Sequence, residues 1–226
     1  MANESEKELA ARASCEQVKN GMVVGLGTGS TAVFVVQTLA EKVRQGLKIR
    51  GIPTSVNTEK LATSLGIQMI TLADVQEIDV TIDGADEFDP GLQLTKGGGG
   101  ALLREKIVAS ASKLMVVIAD SSKQVAVLGK FPLPVEVIKF AQPLVSKKIA
   151  AMGAKVVLRK TATGEVFITD EGNYILDSNF SQIPDPPALA RKLSDTPGVV
   201  EHGLFINLAG MVLMGKGNQV VEIRRP

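Results

Sequence analysis

Residues 97–100 are four consecutive glycines, and no helix or strand interior accommodates such a run. Glycine loses more backbone freedom on folding than any other residue, and a merely structural turn needs one or two. The run therefore marks a loop. Lys96 precedes it, and Ala101-Leu102-Leu103-Arg104-Glu105-Lys106 opens a helix after it. Upstream, Ile78-Asp79-Val80-Thr81-Ile82 alternates apolar and polar residues as a strand does. Asp83-Gly84-Ala85-Asp86-Glu87 leaves the end of that strand. Acids, a cation and open backbone amides thus converge in one short piece of chain. The stretch from Asp83 to Glu105 reads as an active site.

Strand and helix signals alternate around it. Residues 4–19 read as a helix with a weak apolar stripe at Leu9, Ala13 and Val18, ended by Asn20-Gly21. Met22-Val23-Val24 is a short strand that runs into Gly25-Leu26-Gly27-Thr28-Gly29-Ser30-Thr31. The helix after it, through about Arg44, has Val33, Val36, Leu39, Ala40 and Val43 on its expected buried face. Strand candidates follow at 47–52, 67–72 and 92–94, and a helix at 59–65. Residues 101–112 form a helix with Leu103 and Ile107 at i, i+4 spacing. Leu114 to Ala119 is a continuous apolar run, as in a central parallel strand. This alternation predicts an α/β fold, a doubly wound, mostly parallel, Rossmann-like sheet.

The character changes at Phe131-Pro132-Leu133-Pro134. Beyond it come a strand (135–140), a helix (143–152) and a strand (155–160). Strand-like pieces at 165–170 and 174–178 precede a helix from Pro186-Pro187 and a strand at 199–206. That order predicts a smaller ferredoxin-like α+β domain. The apolar pieces from Gly210 to Ile223 rejoin the first domain. The expected division is 1–130 plus 207–226 for a catalytic α/β domain and 131–206 for the smaller one.

Composition narrows the function. The 226 residues carry 25 basic and 24 acidic side chains, with no charge block and no Trp. Nucleic-acid binding is therefore not expected. No apolar run reaches the ~18 residues that span a bilayer, and the polar, acidic start has no signal-peptide core. The expectation is a cytoplasmic protein without a membrane partner. With one cysteine, Cys15, no internal disulfide forms, and the residue reads as a half-buried helix position. The single histidine, His202, leaves no usual zinc ligand set, and a Ser-His nucleophile only if His202 serves.

The turn at 25–31 departs from the dinucleotide fingerprint. Ser30 replaces the third glycine, and the second strand ends Pro53-Thr54-Ser55 without the ribose-binding acid. No Gly-Lys-Ser/Thr follows, so it is not a P-loop. What remains is a helix N-terminus with free amides and the hydroxyls of Thr28, Ser30 and Thr31, a fit for a phosphate monoester. The other reading is a plain strand-to-helix turn with Ser30 as N-cap. Asp83, Asp86 and Glu87 repel one another unless cations or substrate hydroxyls balance them. Lys96 is one candidate, and Lys123, which follows the central strand through Asp120-Ser121-Ser122, is another. Glu105 and Lys106 are adjacent and cannot both face the site.

At these residues the chain resembles the type A ribose-5-phosphate isomerases. The matching pieces are GLGTGST at 25–31, DGADE at 83–87, KGGGGALLREK at 96–106, SSK at 121–123 and KFPLPVEV at 130–137. The resemblance implies interconversion of D-ribose 5-phosphate and D-ribulose 5-phosphate, with no metal and no cofactor. It implies Glu105 as the catalytic base and Asp83 as the acid that assists ring opening and proton handling. Asp86 and Lys96 are implied as substrate-contacting catalytic partners, with Gly84, Ala85, Gly97, Gly98 and Gly99 beside them. Thr28, Gly29, Ser30 and Thr31 are implied as the phosphate loop, Lys7 as a phosphate-binding lysine, and Lys123 as a further substrate contact. A homodimer or homotetramer is also implied. Lys96 and the amides of Gly97–Gly100 are candidates to stabilise the enediolate. Two other readings remain: a sugar-phosphate sensor domain without catalysis, and a nucleotide-dependent oxidoreductase.

Overall fold

Residues 115–120 are buried at every position, the pattern of a strand covered on both faces. In the computed structural model, residues 2–225 are described, with side chains from Ser5 onward. Met1 and Pro226, the outer ends of the expected first domain, lie outside them. Helix α1 (Ala2–Ser14) leads into β1 (Val23–Leu26), α2 (Ser30–Arg44), β2 (Arg50–Pro53), α3 (Val56–Ser64) and β3 (Gln68–Met69). Next come β4 (Val80–Gly84), β5 (Glu87–Phe88), β6 (Leu94–Thr95), α4 (Leu102–Ser110) and β7 (Met115–Asp120). Then follow β8 (Leu133–Val137), α5 (Gln142–Ala151), β9 (Lys155–Leu158), β10 (Tyr174–Asn179), α6 (Pro186–Ser194) and β11 (Val199–His202). Strands β12 (Leu204–Phe205), β13 (Ala209–Lys216) and β14 (Gln219–Arg224) complete the order.

The main sheet has seven strands in the order β14-β13-β7-β4-β1-β2-β3. All its pairs are parallel except β13–β14. Alternate residues of β7 feed opposite layers. Val116 and Ile118 pack with α1 and α2, while Met115, Val117 and Ala119 pack with Ala109 of α4 and with Phe88 and Phe205. This is the doubly wound α/β fold. A second, antiparallel sheet has the order β11-β8-β10-β9. With α5 and α6 it makes the β-α-β-β-α-β arrangement of a ferredoxin-like module. Its core centres on Leu133, Val135, Val145, Ile149, Leu176 and Leu193. The small sheet β12-β6-β5 joins the two.

Several local expectations are corrected. On α1 the fully buried positions are Ala10, Ala11 and Ser14, followed by Cys15; of the expected stripe, Val18 is in the core and Ala13 packs against it half-buried, while Leu9 is only half-buried. Small residues are needed because the helix lies close on the sheet: a Cβ added at Gly215 would stand 2.1 Å from the Glu6 carbonyl oxygen. Cys15 is fully buried, and burial pushes its thiol up to about 12. On α2, Ala32 and Val35 face the core and Val33 is exposed. On α4 the inward face is Leu102, Glu105, Val108 and Ala109, not Leu103 and Ile107. The expected strand at 165–170 is absent; only an isolated bridge joins Lys160 and Val166. The expected strand at 135–140 ends at Val137 and gives way to a helical turn, Lys139–Ala141. The strand at 199–206 breaks at Gly203, where a Cβ would meet the Lys96 carbonyl oxygen at 2.2 Å. There the chain leaves the four-stranded sheet and crosses to β6.

The close approach of α1 yields a stability prediction. Gly215→Ala drives a methyl into the α1 backbone and destabilises the fold by about 1–3 kcal/mol. The urea midpoint falls while the slope of the transition is unchanged.

Candidate active site

Strands β1 and β4 are neighbours, with Leu26 beside Ile82 in register. After β1 the chain winds outward to β2 and β3; after β4 it winds the other way, to β7 and β13. Their carboxyl ends bracket the point where the winding reverses. Open α/β sheets leave a ligand crevice at that point. A cavity of about 240 Å3 lies there. That is smaller than the ~300–1,000 Å3 of pockets for drug-sized ligands, so it favours a small molecule.

One wall is the turn after β1. Thr28, Gly29, Ser30 and Thr31 line it. The N-cap of α2 is Gly29, with φ 113° and no side-chain cap, so Ser30 is not the cap. The first amides of α2 stay open and the helix dipole favours an anion there. Lys7 of α1 reaches the same wall and donates to Ser30 Oγ at 3.2 Å. Thr28 departs from expectation. Its hydroxyl turns away into a cluster with Thr54 (2.7 Å), Ser55 (2.9 Å) and Thr58 (3.1 Å), and its amide donates to Asp83 Oδ1 at 3.1 Å. That hydroxyl cluster fills the end of β2, where a dinucleotide site holds its ribose-binding acid.

The floor is a buried charge cluster. Lys96, 2% exposed, places Nζ 3.0 Å from Asp83 Oδ2 and 3.3 Å from Glu105 Oε2. Its aligned hydrogen bond goes to the Gly84 carbonyl at 2.7 Å. The Phe205 ring centroid lies 5.3 Å from the same nitrogen. Asp83 is fully buried, with Oδ1 accepting from the Gly84 and Thr28 amides. Asp83 sits behind Lys96 and does not itself line the cavity, whereas Glu105, Lys96, Asp86, Gly84 and Ala85 do. Asp83 Oδ2 and Glu105 Oε2 are, with Thr95 Oγ1, buried side-chain oxygens that lack a hydrogen-bond partner among the described residues. Buried polar atoms are nearly always hydrogen-bonded; these two oxygens instead share one ammonium in ion pairs, which leaves each able to accept a further hydrogen bond.

Two carboxylates and one ammonium out of water cannot all stay charged cheaply. Burial raises the Glu105 pKa from 4.5 to about 8, with Lys96 opposing and Asp83 adding to the rise. Burial likewise raises Asp83, against the pull of Lys96. For Lys96, burial works against the charge, but the carboxylates of Asp83 and Glu105 outweigh it and hold the ammonium above its ordinary range.

The glycine run forms a turn closed by the Gly100 amide on the Gly97 carbonyl at 3.0 Å. Gly97, Gly98 and Gly99 line the cavity. The Gly98 amide is already used, donating to Asp86 Oδ2 at 2.7 Å. The amides of Gly98 and Gly100 are therefore not free, contrary to expectation. A Cβ at Gly98 would stand 2.5 Å from the Asp86 carboxylate, and one at Gly100 2.5 Å from the Phe167 ring. Gly99 alone meets nothing closer than 3.8 Å, so only the cavity side explains a glycine there.

Lys123 also lines the cavity, from the helical turn Ser121–Lys123. Motif reading missed Glu6, which places both Lys7 and Lys123. Its buried carboxylate accepts from Ser121 N (3.0 Å), Ser121 Oγ (2.8 Å) and Gly217 N (2.8 Å). Those bonds hold its pKa below the ordinary range. Glu87 does not join the acid cluster. It turns away to the amides of Gly129 and Phe131. Lys106 also points away, to Glu201 and the His202 carbonyl. Burial, then Lys106, push His202 down to about 4. Its Nδ1 faces Lys106 Nζ and the Leu204 amide, so Nε2 carries the hydrogen toward Ser194 Oγ. A histidine in that state cannot take the serine proton, and no Ser-His nucleophile forms there.

Two outcomes follow. The raised Glu105 pKa means the folded state binds more protons than the unfolded state between pH 4.5 and about 8. Stability therefore falls as pH rises through that window. Glu105→Gln removes this slope, so its stability gain over wild type is larger at pH 8 than at pH 5. About 1 kcal/mol of gain raises Tm by roughly 2–4 °C, which calorimetry across pH measures. Gly99→Ala keeps wild-type stability within about 0.5 kcal/mol, and its loss of turnover reports the room the ligand needs.

Comparison with known proteins agrees with this geometry. The sequence profile described as ribose 5-phosphate isomerase A (phosphoriboisomerase A) matches residues 50–219. A ribose-5-phosphate isomerase A of Sphingopyxis alaskensis is 49% identical over 97% of this chain and 96% of its own. One from Parvibaculum lavamentivorans is 51% identical over 98% of this chain and 100% of its own. A solved D-ribose-5-phosphate isomerase in complex with phospho-erythronic acid superposes with a TM-score of 0.97 at 38% identity, covering all of both chains. With the profile matching most of its length and full-length relatives about half identical to it, the chain belongs to the ribose 5-phosphate isomerase A family.

Proposed function

We propose that the crevice between β1 and β4 performs the interconversion of D-ribose 5-phosphate and D-ribulose 5-phosphate with Glu105 as the proton carrier. Isomerase activity goes with the family; the residue roles are the content of the proposal. The observation that carries them is the pair of buried carboxylates, Glu105 on the cavity floor and Asp83 behind Lys96, that share the one Lys96 ammonium.

The phosphate sits on the uncapped start of α2, against the amides of residues 29–31, the Ser30 and Thr31 hydroxyls and Lys7. Its binding is remote from the chemistry and holds C1 and C2 in place. Asp83, acting through the Lys96 ammonium that separates it from the cavity, accepts the C1 hydroxyl proton as the bond from C1 to the ring oxygen breaks, and the proton returns to that ring oxygen. In the open aldose, the Glu105 carboxylate removes the proton on C2. The C–H electrons form the C1=C2 double bond and the carbonyl electrons move to O1. Lys96 and the free amide of Gly99 meet that negative charge. The proton on O2 passes to O1 by way of the Lys96 ammonium, which Asp83 holds from behind. Glu105 returns its proton to C1, and C2 becomes the ketone. Asp86 and Lys123 hold sugar hydroxyls. A carboxyl near neutrality suits a group that must both take and give the proton. The relative solved in complex with phospho-erythronic acid holds a ligand that carries a phosphate, the group this reading puts on the start of α2.

The same reading makes residues 1–130 plus 207–226 the catalytic domain and 131–206 a smaller one. It places the enzyme in the cytoplasm, without a nucleic-acid partner, as a homodimer or homotetramer. Ile138, Phe140 and Leu144 are exposed apolar side chains of the smaller module, Phe140 at 95%, and they support self-association. No helix among the described residues is long and apolar enough to cross a membrane. The sensor reading is not favoured, because the full-length relatives are isomerases.

Glu105→Gln lowers turnover of D-ribose 5-phosphate by about a thousandfold or more, with KM changed little. Turnover near wild type would remove Glu105 from the role of base. In the wild type, kcat/KM climbs as pH rises toward about 8 and then levels, because the free enzyme must release the Glu105 proton to act.

A further inference from the structure

Resting on that isomerase reading, we propose that Arg159, clamped by Asp177, is a positioning residue that aims the Gly99 amide into the active site from the smaller module. Arg159 follows β9 directly. Its Nε donates to Asp177 Oδ2 at 2.9 Å, and its Nη2 pairs with Asp177 Oδ1. This fork leaves Nη1 facing outward, and Nη1 donates to two successive carbonyls, Gly97 at 2.9 Å and Gly98 at 3.1 Å. The guanidinium also lies over the Phe167 ring, 5.8 Å from its centroid.

A trans peptide points its C=O and N–H in opposite directions. Holding the Gly97 carbonyl turns the Gly98 N–H the other way, where it meets Asp86 Oδ2 at 2.7 Å. Holding the Gly98 carbonyl turns the Gly99 N–H away from Arg159 as well. Gly99 lines the cavity, and its amide has no partner among the described residues. One guanidinium therefore sets two peptides. The first braces Asp86 and the second presents a donor toward the substrate. Glycine peptides are otherwise free to flip, and steric contact does not hold Gly99, since nothing approaches a Cβ there within 3.8 Å.

The anchor is itself rigid. The Arg159 amide donates to the Ile175 carbonyl at 2.9 Å, and the Arg159 carbonyl accepts from the Phe167 amide at 3.0 Å. The segment that follows is tied to α3 and α4, with the Asp170 carboxylate accepting from the Val56 amide at 2.9 Å and Glu171 paired with Arg104. Phe167 packs under Gly100.

The test compares Arg159→Lys and Asp177→Asn with wild type in turnover of D-ribose 5-phosphate. Lysine keeps the charge but has no fork to hold Asp177 and two carbonyls together. Loss of one preorganised oxyanion donor costs about 10²–10³ in kcat. The expected result is a fall of that order in kcat. KM and the inhibition constant of inorganic phosphate stay within about twofold, because the phosphate wall is untouched. The double variant is no worse than either single one, because the two side chains act as one unit. A kcat within threefold of wild type overturns the proposal. So does a parallel worsening of KM, phosphate inhibition and Tm, which would make Arg159 only a tie between modules. An inactive wild type in the same assay overturns the isomerase reading, and this inference with it.

Discussion

Everything at the active site depends on one ammonium group out of water. Lys96 Nζ stands between the carboxylates of Asp83 and Glu105, all three almost wholly buried. Taking such charges from water is costly, and buried ion pairs are poor devices for stability. The cluster persists because its surroundings hold it. The Gly84 carbonyl accepts from Lys96, the Gly84 and Thr28 amides donate to Asp83, and Phe205 lies beside the ammonium. One cation between two carboxyl groups leaves an excess negative charge, which the site relieves by letting Glu105 keep a proton up to about pH 8. The same imbalance that weakens the fold makes Glu105 a carboxyl able to exchange protons near neutrality.

The doubly wound sheet makes this arrangement possible. Glu105 and Asp83 reach the cluster from opposite sides of a helix–sheet boundary, α4 above and β4 below. Gly27 permits the approach of β1 to β4, since a Cβ there would stand 2.2 Å from Asp83 Oδ1. The reversal of winding between β1 and β4 then puts an uncapped helix start beside the charge cluster. The uncapped helix start and the buried charge cluster are thus neighbours for topological reasons, although they are more than fifty residues apart in sequence. The smaller module contributes from outside: Gly203 bonds to Lys96 and Pro134, and Arg159 bonds to the glycine turn.

Much of the site was legible because its chemistry is local. A carboxylate at the end of an alternating strand, a lysine before four glycines and a glutamate in the first turn of the next helix form a pattern that core packing does not require. The alternation of strand and helix signals carried the fold class for the same reason, since periodicity is a property of each segment alone. The misreadings share a cause. On α4, Leu103 and Ile107 formed the expected apolar pair, but the helix rolls so that Glu105 meets Lys96, and the leucine and isoleucine face an apolar surface groove. On α1, a face of alanines and Cys15 carries no hydropathy contrast. The hydroxyl of Thr28 and the amide of Gly98 looked free because their partners come from other segments, and the Gly100 amide because the glycine run folds back on the Gly97 carbonyl.

By itself the sequence determined which groups the chemistry has available and which elements carry them: the strand end with Asp83, the glycine turn after Lys96, the helix with Glu105, and the small, open start of α2. Those are matters of propensity, turn geometry and residue type, all settled within a few positions of one another. Only the tertiary structure decided which of the acids share a site, that Asp83 lies behind Lys96, that Glu87 leaves the cluster for Gly129 and Phe131, and that Glu6 and Arg159 brace the walls. Burial, pKa and the direction of a peptide are set by neighbours distant in the chain, and the local pattern of residues does not encode them.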